Sequence, residues 1–256
     1  MISYYPNLRE LSLGAAKYVC RLSQASVKER GIFTLVLSGG KTPQLLYNLL
    51  AELPFREIIP WEKTHLFWGD ERFVPSDHPD SNFATAFDAF ISRIPIPPGN
   101  IHRVTVEKST AEDAALAYER IIRKFFETSG KAKFQNPTEG KPPPSFDLVL
   151  LGVGRDGHTA SLFPGDNALE ERKRWVMHVQ TEDIAPAVPR ITLTFPVINQ
   201  SRCVVFLVSG VGKRKVIRTI LDDPVNAAAL YPAARVQPAG PLIWYIDKES
   251  LQRRKR

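Results

Sequence analysis

The chain has 256 residues, of which 43% are hydrophobic and 24% charged, the balance of a globular protein rather than of a disordered or membrane-embedded one. Its formal charge of +7 suits an enzyme of anionic metabolites, and because the basic residues are spread along the chain without an aromatic-laced stripe, no nucleic-acid partner is expected. Cys20 and Cys203 each sit in an apolar run and form neither a disulfide framework nor a metal-ligand pattern.

No apolar run approaches the ~20 residues that cross a bilayer, so no membrane association is expected. The opening residues 1–6 lack the basic-then-apolar profile of a secretory leader, which points to the cytoplasm. The basic residues 253–256 read as a solvated tail.

Along the chain, Leu8, Leu11, Ala15, Val19 and Leu22 recur at helical spacing, predicting a helix from Leu8 to Arg30 that Gly31 ends. Phe33 to Leu37 is a short apolar run bounded by Ser38-Gly-Gly40 and reads as a buried strand. Pro43 then stands near the start of a helix over 44–52, where a missing N–H costs little. Thr64 to Trp68 predicts a second strand, running into a charged loop, Gly69-Asp-Glu-Arg72, whose charges should stay out of the core. A helix follows over 111–127, then strands over 146–151 and 203–208, a helix over 213–221 and a final strand over 242–246. Apolar strands alternating with helices predict a doubly wound α/β fold, a mostly parallel sheet covered on both faces. The segment 129–145, with four prolines, reads as a flexible surface loop inside a single domain spanning 1–256.

In such sheets ligands bind beyond the carboxyl ends of the strands, and the informative residues fall there. In Ser38-Gly-Gly-Lys-Thr-Pro43 the glycines let backbone N–H groups approach an anion, Thr42 adds a hydroxyl and Lys41 a charge. It is no Walker loop, lacking that motif's glycine spacing; a tight turn with a threonine cap is the alternative. In the second loop Arg72 offers a planar fork of donors, while Asp70 and Glu71 could orient it or exchange protons. The third loop, Gly152-Val-Gly-Arg-Asp-Gly-His158, ends on histidine, the side chain best matched to proton transfer near neutral pH. Asp156 could fix its tautomer, and the glycines could turn N–H groups, Gly154's among them, toward a ligand. Its glycine spacing matches a dinucleotide loop, but no ribose-binding acid stands at the expected distance. Arg190 and Lys213, at two further junctions, are candidate phosphate or carboxylate ligands. His65, His78, His102 and His178 are scattered, show no pairing at metal-ligand spacing and read as structural or exposed, and neither a metal nor a cofactor is expected.

Together these segments closely resemble the 6-phosphogluconolactonases. The resemblance rests on Ser38 to Pro43, on Asp70 to Arg72 with Val74-Pro75 and Ser81-Asn82, on Gly152 to Pro164, on Arg190 to Thr194, and on the Gly-Lys element near Lys213. It spans about 35–220 in family order and implies a fold similar to glucosamine-6-phosphate deaminases and ribose-5-phosphate isomerases. The deaminases are the nearest rival, but their segment after the histidine carries a glutamate, whereas Thr159-Ala-Ser-Leu-Phe-Pro164 has no carboxylate. What the resemblance implies is hydrolysis of 6-phospho-D-glucono-1,5-lactone to 6-phosphogluconate, with His158 as general base; a monomer, or else a dimer, is expected, and the sequence leaves both open. Asp156 or Asp70 would orient the base, and Arg72 or the N–H groups of 152–157 would hold the oxyanion. Gly39, Gly40, Thr42, Arg190 and Lys213 would take the phosphate of the sugar-phosphate substrate, with Arg72 a further candidate.

Overall fold

The computed structural model describes residues 1–128, 143–181 and 184–251. The loop expected over 129–145 lies outside the described residues except for its last three, and so does the basic tail.

The elements in chain order are β1 (Ile2–Tyr5), α1 (Leu8–Arg30), β2 (Phe33–Leu37), α2 (Lys41–Leu50), α3 (Phe55–Ile58), β3 (Thr64–Trp68), β4 (Asp70–Arg72), α4 (Asn82–Ala89), α5 (Ala111–Thr128), β5 (Leu148–Leu151), β6 (Val176–Val179), β7 (Arg190–Leu193), α6 (Phe195–Asn199), β8 (Val204–Val208), α7 (Arg214–Asp222), α8 (Pro224–Leu230) and β9 (Leu242–Asp247). The first helix forms as its periodicity predicts. The Asn7 side chain accepts the Glu10 N–H at its start, Leu11, Ala15, Ala16 and Val19 are buried on one face, and Gly31 ends it in the left-handed region at φ 80.

The main sheet has six strands in the order β1-β9-β8-β5-β2-β3, and all its pairings are parallel. Every residue of β2, β5 and β8 is buried, because helices cover both faces; this is why these strands read as apolar runs, broken only by Thr34 in β2. Fully burying each Leu, Val or Phe there contributes roughly 1.5–3 kcal/mol.

Beside it lies a second sheet, β4-β7-β6, which is antiparallel. This corrects the expected charged loop after Trp68: Asp70 to Arg72 is a strand, with Asp70 and Glu71 buried. The helix after Gly40 also begins earlier than its proline suggested, at Lys41.

Two of the remaining histidines meet in space. Residue 101 bridges Leu66 of β3, and this places His102 Nε2 3.2 Å from His65 Nδ1. The Phe67 ring stacks on His102 at 4.5 Å, with Phe125 5.0 Å away. Burial first, and then the neighbouring His65, lower the His102 pKa to about 4 from its ordinary 6.5. A folded-state value below the unfolded one means that this group's stabilisation is complete above pH 6.5 and is lost as pH falls toward 4. Allowing for partial exposure, the loss should be about 1–2 kcal/mol. Denaturant titrations at pH 7.5 and 4.5 should therefore show a smaller acid-induced loss in His102→Phe than in the wild-type chain; equal losses would remove His102 from the account.

Candidate active site

The loops leaving β2, β5 and β8 converge with β4 and β7 on a cleft of about 430 Å³. Gly39, Gly40, Lys41, Thr42, Asp70, Arg72, Gly154, Asp156, His158, Arg190 and Lys213 all line it, so the residues singled out in sequence are brought together. Parallel strands place their carboxyl ends on one side, and short βα turns keep each loop beside its neighbours. Tyr47 of α2 reaches back to accept the Ser38 N–H and donate to the Ser38 carbonyl, fixing the first loop. Gly40 precedes α2 at φ 89 and ψ 176, a conformation that favours glycine, and the first residues of the helix, Lys41 to Pro43, line the cleft.

The turn after β5 carries the histidine. His158 Nδ1 lies 2.6 Å from Asp156 Oδ1, and the Gly154 N–H donates to the His158 carbonyl at 2.8 Å, closing the turn. Burial pushes the Asp156 carboxyl up, but the hydrogen bond and charge of His158 outweigh it and hold the group below its ordinary range. A Cβ on Gly154 would overlap Nδ1 of His158, so only glycine leaves room for the ring. The glycines do less than expected toward a ligand: the N–H groups of Gly154 and Gly157 are both engaged inside the turn. Thr159 and its successors form further turns and no helix, which sets this loop apart from a dinucleotide loop.

Asp70, the other carboxylate weighed as partner to the histidine, is bonded elsewhere. Its Oδ2 accepts from Ser161 Oγ at 2.7 Å and its Oδ1 from Asn82 Nδ2 at 3.3 Å. Glu71 caps α4, accepting the N–H groups of Asn82 and Phe83 as well as that of Arg72. Burial raises its carboxyl to about 7 against the pull of those donors. Sequence reasoning left Glu71 beside Arg72 or in proton transfer; its helix-capping role was hidden because its partners lie 11 and 12 residues on.

Arg72 of β4 and Arg190 of β7 are directly opposed in register, an arrangement that repels unless an anion lies between them. Arg72 Nη1 donates to the Asp80 carbonyl, yet Nε of each arginine is buried without a partner among the described residues. Burial lowers the Arg190 pKa, and Asp70 opposes that shift. The Phe163 ring packs behind the lining residues, with Arg190 Cζ 5.5 Å from its centre and the His158 ring 4.6 Å away. Phe163 was read only as part of a motif; nothing in its spacing signals this position between base and cation.

Cys20 and Cys203 are free and buried. Among the described residues no cluster of three or more His, Cys, Asp or Glu side chains is placed to hold a metal, and no helix is long and apolar enough to cross a membrane.

A cationic cleft at the carboxyl ends of a parallel sheet, with a carboxylate-oriented histidine at its wall, defines an α/β enzyme of small anionic substrates. The chain belongs to the glucosamine-6-phosphate isomerase/6-phosphogluconolactonase family, whose model matches residues 6–244. It is 40% identical over 247 residues to the chloroplastic 6-phosphogluconolactonase 3 of Arabidopsis thaliana, covering 96% of this chain and 73% of that one. It superposes on the 6-phosphogluconolactonase of Trypanosoma cruzi with a TM-score of 0.82 at 32% identity, covering 97% and 94% of the two chains. A monomeric glucosamine-6-phosphate deaminase shares the fold alone, at a TM-score of 0.76 and 20% identity over 97% and 98% of the chains.

Proposed function

We propose that this chain hydrolyses 6-phospho-D-glucono-1,5-lactone to 6-phosphogluconate, the second step of the oxidative pentose phosphate pathway, with His158 as general base. The relatives support the reaction, being 6-phosphogluconolactonases at up to 40% identity over nearly the whole chain. For the base, the carrying observation is the 2.6 Å contact between His158 Nδ1 and Asp156. A proton on Nδ1 donated to that carboxylate leaves Nε2 as the acceptor that faces substrate.

The lactone is a cyclic ester. Nε2 takes a proton from water as its oxygen attacks C1, giving a tetrahedral oxyanion. Collapse breaks the bond from C1 to the ring oxygen, and the imidazolium returns its proton to that oxygen. With two of the turn's N–H groups engaged internally, Arg72 is the favoured partner of the oxyanion, a role often worth ~3 kcal/mol per donor. The α2 start (Gly39, Gly40, Lys41, Thr42), Arg190 and Lys213 take the phosphate, whose remote binding holds C1 against the base. This scheme calls for no metal or cofactor.

One chain supplies every residue named, so a monomer built as a single domain is the working unit we propose. The two free cysteines fit a reducing compartment, and we place the protein in the cytoplasm, although several relatives are named as chloroplastic. The test is a coupled assay with freshly generated lactone, read against its uncatalysed opening. Catalysed opening without ammonia release from glucosamine 6-phosphate is the expected result; ammonia release without lactone hydrolysis would overturn it.

A further inference from the structure

The turn that carries His158 also carries a cation with no role so far. Arg155 lines the cleft and its side chain is exposed. Its stem crosses Gly212, in the short 3-10 turn Val211–Lys213, so closely that a Cβ there would lie 2.8 Å from Arg155 Nε. The guanidinium is thereby seated beside Lys213, which lines the same cleft. Among the described residues no carboxylate pairs with Arg155: its neighbour Asp156 is bonded to His158. Burial, followed by the charge of Arg155, lowers the Lys213 pKa, and Asp156 opposes this only in part.

We infer that Arg155 is a substrate-binding residue that, with Lys213, grips the phosphate of the ligand from the mouth of the cleft. Two adjacent full positive charges call for a dianion. A phosphate carries about −1.5 to −2 at neutral pH and offers three acceptor oxygens, whereas a carboxylate carries a single charge. The guanidinium fork also matches phosphate geometry in two parallel hydrogen bonds, which an ammonium cannot reproduce. The exposure of Arg155 places it at the mouth of the cleft. Glycine at 212 leaves the channel along which the arginine lies, so the two positions act as a pair.

This inference rests on the lactonase reading for the identity of the substrate, but its test does not depend on turnover. The dissociation constants of inorganic phosphate and of 6-phosphogluconate would be measured calorimetrically for the wild-type chain and for Arg155→Ala. Lys28→Ala, which removes an equal charge from the last turn of α1, serves as control. Arg155→Ala is expected to weaken both ligands about three- to tenfold, with a shallower salt dependence and a larger effect on KM than on kcat. Arg155→Lys should recover only part of the loss. Affinity for phosphate equal to that of Lys28→Ala would overturn the inference. So would a loss confined to 6-phosphogluconate, which would assign Arg155 to the carboxylate instead. If the chain proved not to hydrolyse the lactone, weakened binding of phosphate in Arg155→Ala would still stand, so the two failures are separable.

Discussion

His158→Ala is expected to lose about 10²–10⁴-fold in kcat for the lactone while still binding 6-phosphogluconate. The effect is large because the ring has two duties that nothing nearby can take over. Asp156 could accept a proton, but its carboxylate meets the ring at Nδ1, on the side away from the Nε2 position where the proton must be taken. Asp70 is fixed by Ser161 and Asn82. Affinity should survive because most of the phosphate ligands lie on other elements and Arg155, on the same turn, is left in place. Wild-type turnover in the variant, measured above the spontaneous opening rate, would reject the assignment.

Arg190→Leu should raise KM for the lactone by about 10²-fold, the scale of a buried charge-assisted contact to an anion. The same substitution is expected to leave the unliganded protein at least as stable as wild type. Arg190 is only 4% exposed, opposes Arg72 across the small sheet and has an unpaired Nε, so its charge costs stability until an anion arrives. Leucine removes the repulsion while filling much of the space over Phe163. Phosphate should accordingly raise the Tm of the wild-type chain and raise that of the variant much less. A variant that binds normally but melts several degrees lower would make Arg190 a structural residue.

The main sheet and its long helices were legible because burial on both faces leaves strands that are almost wholly apolar, and α1 and α5 keep helical periodicity over several turns. The small sheet was not. Asp70, Glu71 and Arg72 carry no apolar signature, since the first two are buried among polar partners and the third faces the cleft. β1 is only four residues long with Ile2 and Tyr4 exposed at the sheet edge, and it too left no pattern to read. The site residues were easier than the strands that hold them, because cations and glycines after strands are conspicuous. What spacing could not give was partnership: the choice of Asp156 over Asp70, the capping by Glu71, the His65–His102 contact and the seat of Arg155 all depend on which loops meet in space.

The turn closed by the Gly154 N–H has one more consequence. It holds a proton acceptor and the carboxylate that aims it within five consecutive residues, while the parts that recognise phosphate, Arg155 apart, are contributed by α2, β7 and the β8–α7 junction. Reactivity is thus a local property of one short loop, and ligand preference is a distributed property of the scaffold around it. Substitutions that re-tailor which phosphorylated lactone is accepted can accumulate on those outer elements without re-aiming the imidazole.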